Sequence, residues 1–425
     1  MGAAGCFAVS SIPSFPKGAP ASTHTPAQPM KNNVASHRLT LLLAGLAMLG
    51  PFSIDTYLPS FHAIAVSLRV DEVLVQQTLS VYLLAFSTMM LFHGTLSDTF
   101  GRRRIVLIAL AVYIGASLAA VWSPNLHWLL VCRALQGMSA GAGVVIGRAI
   151  VRDLLAGADA QRAMAQITMV FGLAPAIAPI IGGWLQRVFD WPSVFAFLSA
   201  FGLLLWLSSY LGLPESLPPE ARQPLHLRTI AGNYCRVLRS GRFLLMALAI
   251  GTGFAGFGLY IASAPYFVMT LLGLPETAFG WLFVPMVTGM ITGAWVASRN
   301  AHRVVPGRMI RNGYLFMAAA VAANLLYNAL LPPALPWMVL PLMLYNFGLS
   351  LLMPSLTLRI VDLFPALRGL ASSLLSFVQT AVFGATAAIA PLFFGSGLRL
   401  AAGMAGAFLL SVSCYRATRM RAGAA

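Results

Sequence analysis

Residues Gly94 to Arg104 read G-T-L-S-D-T-F-G-R-R-R, a short charged interruption between two long apolar runs. Val73 to His93 precede it and Ile105 to Trp122 follow it, each close to the roughly 20 residues a helix needs to cross a bilayer. The stretch is therefore expected to be a tight hairpin between two membrane helices. Gly94 and Gly101 allow close backbone approach and a sharp turn. Asp98 supplies one acid at a helix end, and Arg102, Arg103 and Arg104 form a basic cluster. Three consecutive arginines at a membrane edge mark that edge as cytoplasmic.

Working outward, the composition agrees. Of 425 residues, 59% are apolar and only 9% charged, with a mean hydropathy of +0.81; a soluble globule would carry roughly 25% charged residues. The formal charge of +16 does not point to nucleic acid, because a binding face would gather its basic residues on a soluble domain, whereas these are scattered between apolar runs. Cys6, Cys132, Cys235 and Cys414 show no metal or disulfide spacing. The seven histidines never pair at metal spacing, and no phosphate-binding loop is present. No enzyme, metal or cofactor is expected.

Residues 1–38 are rich in Pro, Ser, Ala and Thr and read as a disordered cytoplasmic tail. Met30, followed by Lys31 and Arg38, is an alternative start. Twelve apolar segments follow between 39 and 415, predicting an all-α membrane protein of two six-helix bundles, 39–213 and 243–415, with a short cytoplasmic tail at 416–425. The even number of spans puts both termini on one side. Loops on that side hold 23 Lys and Arg against 3 in the opposite loops, which places both termini in the cytoplasm. Trp122, Trp128, Trp191 and Trp337 fall at the opposite edge, as an aromatic belt would. The linker, 214–242, opens with acidic and proline residues. Leu227, Ile230, Val237 and Leu238 then alternate at near-helical spacing with Arg228, Arg236, Arg239 and Arg242, which suits either an amphipathic helix on the membrane surface or a solvated basic linker.

A charge inside a span is expensive and usually signals function. Two lie well inside: Asp55 in the first span and Arg133 in the fourth. At about 1.5 Å per residue, Asp55 lies roughly 24 Å from the inner end of its helix and Arg133 roughly 8 Å from the outer end of its own, so both reach the outer half of the membrane. Either they form a static ion pair, or Asp55, flanked by the helix breakers Pro51 and Pro59, faces a cavity. There desolvation and a nearby cation would act on its protonation in opposite senses, so movement of substrate or helices could switch it. Arg148 and Arg152, at the inner edge, are expected to join Asp98 and Asp153 in a charge network.

The spacing G-x-L-x-D-x-x-G-R-R resembles the loop between helices two and three of the major facilitator superfamily. R-A-L-Q-G-M-S-A-G from Arg133 resembles that superfamily's fourth-helix motif, which implies a proton-coupling role for Arg133. G-L-A-P-A-I-A-P-I-I-G-G, with Pro175, Pro179, Gly182 and Gly183, resembles the fifth-helix antiporter motif, with Ala178 where many members have Gly. G-P-F-S-I-D-T-Y-L-P-S-F at Gly50 to Phe61 and Y-I-A-S-A-P-Y-F at Tyr260 to Phe267 are similar to the Bcr/CflA branch of bacterial drug exporters. The resemblance implies a monomeric drug:proton antiporter of the bacterial inner membrane, with Asp55 and Arg133 coupling protons and the Gly94–Arg104 hairpin gating the cytoplasmic side. Tyr57, Tyr82, Tyr260, Tyr266, Asn346 and Gln379 are candidate contacts for an amphipathic small-molecule substrate. A proton-coupled importer of the same fold stays open as the alternative. A channel or receptor would not need the hairpin together with the proline-glycine fifth span.

Overall fold

A computed structural model describes residues 33–222, 227–300, 303–364 and 367–423; the reading of the N-terminal tail falls almost wholly outside them. Twelve helical stretches are long and apolar enough to cross a membrane. The first is broken into α1 (Asn33–Asp55), a turn at Leu58–Ser60, and α2 (Phe61–Leu68). There follow α3 (Glu72–Phe100), α4 (Arg102–Val121), α5 (Leu126–Leu154), α6 (Gly157–Phe189) and α7 (Pro192–Gly212). The linker forms α8 (Leu227–Leu238). The remaining spans are α9 (Gly241–Ala262), α10 (Gly280–Asn300), α11 (Pro306–Leu330), α12 (Leu340–Val361), α13 (Arg368–Ile389) and α14 (Gly397–Gly423). The outermost helices are longer than their hydropathy suggests: α1 begins before residue 39 and α14 runs past 415, because a helix continues in the polar interfacial layer once it is nucleated.

Within the first half α3 packs on α5, α4 on α5 and α7, and α1 on α5 and α6; within the second, α12 packs on α10 and α11, and α14 on α9. Small residues set these approaches, since packing rather than burial from water joins helices in lipid. A Cβ at Gly137 or Gly143 of α5 would run into the backbone carbonyl of Tyr82 or Leu46.

Two seams join the halves, α3 against α13 and α6 against α10. The bundle has a hairpin end, carrying Gly94–Arg104, and a far end. At the far end the halves are clasped: the side-chain amides of Gln76 and Gln77 donate to the carbonyls of Ala387 and Ala388, each at 3.4 Å, and the turn at Leu58–Ser60 meets the one at Glu276–Phe279. Helix α6 runs unbroken through Pro175 and Pro179. Beyond them, Gly182 seats on the carbonyl of Thr56 in its own half, and Gly183 on the carbonyl of Glu276 in the other.

At the hairpin end Gly101 adopts φ +99°, the conformation a side chain would strain, and lets α3 turn directly into α4. The first turn of α4 is capped from the linker. Glu215 Oε1 accepts from the Arg102 backbone N–H at 2.9 Å, placing a negative group at a helix N-terminus. Arg102, mostly buried, pairs with Asp98 at 2.5 Å and Asp153 at 3.2 Å, and also donates to Ser97. Ser216 donates to Asp153 at 2.8 Å. Arg103 donates to the Tyr210 carbonyl at 2.6 Å and lies over its ring. The network therefore differs from the expected one. Among the described residues Arg148 and Arg152 form no ion pair; Arg102 takes both acids because it extends from the turn between them, and the linker supplies the rest.

Candidate functional site

Pro51 has no N–H to give to the turn before it, and α1 ends four residues later, at Asp55. The chain then turns through Thr56 and Tyr57 into the short helical turn that starts beside Pro59. This puts a carboxylate at a helix break inside the bundle. Asp55 is 2% exposed, and its Oδ1 has no hydrogen-bond partner among the described residues. Burying such a group without a partner costs more than a fold would retain by chance.

Arg133, on the facing helix α5, is fully buried. Its Nη1 donates to the carbonyl of Ser53 at 3.0 Å and to Gln136 Oε1 at 2.9 Å. Its guanidinium carbon lies 4.6 Å from the ring centre of Tyr57 and 4.3 Å from that of Tyr82. Each such contact is worth about 2 kcal/mol when water is excluded, so two aromatic faces and two acceptors on Nη1 hold the cation, while its Nε and Nη2 have no hydrogen-bond partner among the described residues. Of the two arrangements the sequence leaves open, the static ion pair is not formed among the described residues. Arg133 bonds the carbonyl two residues upstream of Asp55. The rings of Tyr57 and Tyr82 and the Ser53 carbonyl take the guanidinium instead.

The surrounding polar groups extend this arrangement. Gln136 Nε2 donates to Ser117 at 2.7 Å, and the hydroxyls of Ser53 and Tyr113 are 2.5 Å apart. Tyr57 shares a hydrogen bond with Thr78 at 2.9 Å, and Tyr82 donates to the Gly50 carbonyl at 3.2 Å. Four helices thus converge on one guanidinium. Sequence reasoning did not single out Tyr113, Ser117 or Ser53. A lone tyrosine or serine in an apolar run carries no periodic signal; Gln136 and Ser53 stood inside quoted motifs, but nothing there marked either as a partner of Arg133.

The other candidates spread over the second half. Tyr260 is buried and accepts from Asn324 Nδ2 at 2.8 Å. Asn346 is buried and returns its amide to its own helix at Leu342, 2.8 Å away. Tyr266 lies at the far end, stacked on Phe394 at 4.4 Å, with its hydroxyl accepting from the Gly395 N–H. Gln379, on the α13 seam helix, is half-buried, and among the described residues its amide makes no hydrogen bond. Among the described residues no three His, Cys, Asp or Glu side chains gather into a possible metal site.

The Major Facilitator Superfamily model matches residues 41–388. The Multidrug resistance protein D of Escherichia coli is 30% identical over 371 residues, covering 84% of this chain and 90% of that protein. The bicyclomycin resistance protein homolog of Haemophilus influenzae is 34% identical over 273 residues, covering 64% of this chain and 68% of that protein. Among solved structures, a POT family transporter in complex with 5-aminolevulinic acid has a TM-score of 0.72 at 12% identity, covering 92% of this chain and 98% of the other. A bacterial homolog of the human lysosomal transporter Spinster gives 0.69 at 14%, covering 91% and 98%. At those identities the two structures speak for the fold alone.

Proposed function

This chain belongs to the major facilitator superfamily, and from that premise we propose that it is an exporter of small amphipathic compounds from the bacterial cytoplasm, driven by protons entering in exchange. The hairpin end faces the cytoplasm in this reading, as the bias of 23 to 3 basic residues favours, and both termini lie there. The names of the two relatives, multidrug and bicyclomycin resistance, support drugs as the substrate class.

The observation that carries the proton step is Asp55: a buried carboxylate at a helix break, with an unshared oxygen, in a bundle whose fully buried cation, Arg133, among the described residues bonds to Ser53 and Gln136 and packs on Tyr57 and Tyr82 rather than pairing with it. Such a carboxylate is available to a proton or to a positively charged group of the substrate, but not to both together. Exchange follows from that exclusion. Substrate arriving from the hairpin end displaces the proton, and a proton from the far side displaces the substrate once the far-end clasp has opened. Arg133 positions the site: it ties α5 to the backbone of α1 just before Asp55 and holds Tyr57 and Tyr82 around the same space.

The test is transport of a lipophilic cationic dye in everted membrane vesicles. Asp55→Asn should express normally, bind the dye only weakly, and fail to accumulate it against its gradient when a proton gradient is imposed. Uphill accumulation at the unaltered rate in that variant would overturn the assignment. Accumulation in right-side-out vesicles instead of everted ones would make the protein an importer.

A further inference from the structure

Among the described residues, helix α8 carries a charged face with no ion-pair partner. Its Val237 is fully buried in the apolar core, and Tyr234, one turn before it, packs on the same cluster. The Tyr234 hydroxyl donates to the Leu91 carbonyl of α3 at 2.8 Å, while the rest of the helix lies on α9 and α13. Burial pushes the Tyr234 hydroxyl above its ordinary value, so it stays a donor. A linker segment is thereby anchored to both halves.

That anchor fixes the depth of α8. Helix α3 has 29 residues and is roughly 43 Å long, longer than a hydrocarbon core of about 30 Å. Leu91 lies nine residues before the helix end at Phe100, roughly 13 Å, and so about 7 Å inside the edge of a core centred on α3. The Tyr234 side chain reaches inward to that carbonyl, which leaves the axis of α8 nearer the headgroups. Arg236 and Arg239, three residues apart and so on one face, are exposed, as is Arg242 just beyond. Among the described residues none of the three has an ion-pair partner. Five of the six carboxylates of this end are engaged elsewhere: Asp98 and Asp153 by Arg102, Asp159 by Arg162, Asp362 by Arg368, and Glu215 by the α4 N-terminus; the sixth, Glu220, is exposed and, among the described residues, in no ion pair.

We propose that the arginine face of α8 is a docking surface for anionic phospholipid headgroups of the adjoining leaflet, with Tyr234 and Val237 holding the helix at headgroup depth. Arginine meets phosphate with a planar fork of donors, and the charge complementarity favours acidic over zwitterionic lipid. The surface is independent of the substrate and of the direction of transport.

Hydrogen–deuterium exchange of the 227–238 backbone tests this, with the full chain in lipid nanodiscs of phosphatidylcholine alone and in discs with a third of the lipid replaced by phosphatidylglycerol. The wild type should exchange roughly thirtyfold more slowly across α8 in the anionic discs, the order expected when two arginines meet an acidic surface, and high salt should remove the difference. The double variant Arg236→Gln/Arg239→Gln should exchange alike in both compositions, with α5 exchange unchanged as evidence of folding. Equal wild-type rates in the two discs, or a difference retained in full by the double variant, would overturn the proposal. So would equal slowing in phosphatidylcholine discs by added inorganic phosphate, which would make the site one for a soluble anion.

Discussion

Gly182 and Gly183 stand next to each other in α6 yet seat on different halves of the protein, so the same substitution should have two distinct effects. A Cβ at Gly183 would collide with the Glu276 carbonyl oxygen and lie 3.0 Å from its carbon and 3.2 Å from Thr277 Cα. These are backbone atoms, which cannot swing aside like a flexible side chain, so the halves must part at the far end. Overpacking of this kind costs about 1–3 kcal/mol. The cost falls only on the form in which the far end is shut, because opening separates α6 from the Glu276 turn. The gain in helix propensity from Gly to Ala is common to both forms and cancels. Gly183→Ala should therefore shift the equilibrium toward the far-end-open form by a factor of roughly 5 to 150. Gly182→Ala meets the Thr56 carbonyl carbon at 2.8 Å and its Cα at 3.0 Å, all within the first half. It should lower stability in both forms alike and leave their ratio close to wild type. Spin labels at Trp122 and Trp337, exposed positions at the far end of each half, would report the distance distribution by double electron–electron resonance. A wild-type distribution for Gly183→Ala, or a larger shift for Gly182→Ala than for Gly183→Ala, would refute the assignment of Gly183 to the closing contact.

Equilibrium binding of a cationic substrate should weaken as pH falls, because a proton and the ligand compete for Asp55, while Asp55→Asn should give weak binding that does not change with pH; parallel curves for the two would sink the competition. Arg133→Ala strands the Ser53 carbonyl and Gln136 and empties the space between Tyr57 and Tyr82, so thermal unfolding in detergent should show a loss of about 2–5 kcal/mol, and an unchanged midpoint would mean the tyrosine cage contributes nothing. Glu215→Ala removes the acceptor at the start of α4 and should cost about 1 kcal/mol, read in the same melts; because Asp98 and Asp153 still hold Arg102, transport should fall less than in Asp98→Asn, and the reverse order would argue against the cap.

The spans, their number and the hairpin were legible in the chain itself, because lipid demands long apolar helices and tolerates charge only at their ends. The same rule made Asp55 and Arg133 conspicuous, since each breaks it. What the chain could not convey was what each of them touches. A helix can be rotated about its axis without changing its composition, and the rotation of α1, α3 and α5 decides that Arg133 meets Tyr57, Tyr82, Gln136 and the Ser53 carbonyl rather than the carboxylate of Asp55. Opposite charges at similar depth suggested a pair. Packing instead supplied the guanidinium with rings and carbonyls, which neutralise nothing and so leave the carboxylate unpaired. The hairpin followed the same logic: its acids and arginines were readable, but a shared position at the inner edge favoured Arg148 and Arg152 as their partners. Only the fold brings Glu215 and Ser216 of the linker back onto Arg102 and Asp153. Contacts between residues far apart in sequence depend on the path of the connecting segments, and tertiary packing alone determines that path.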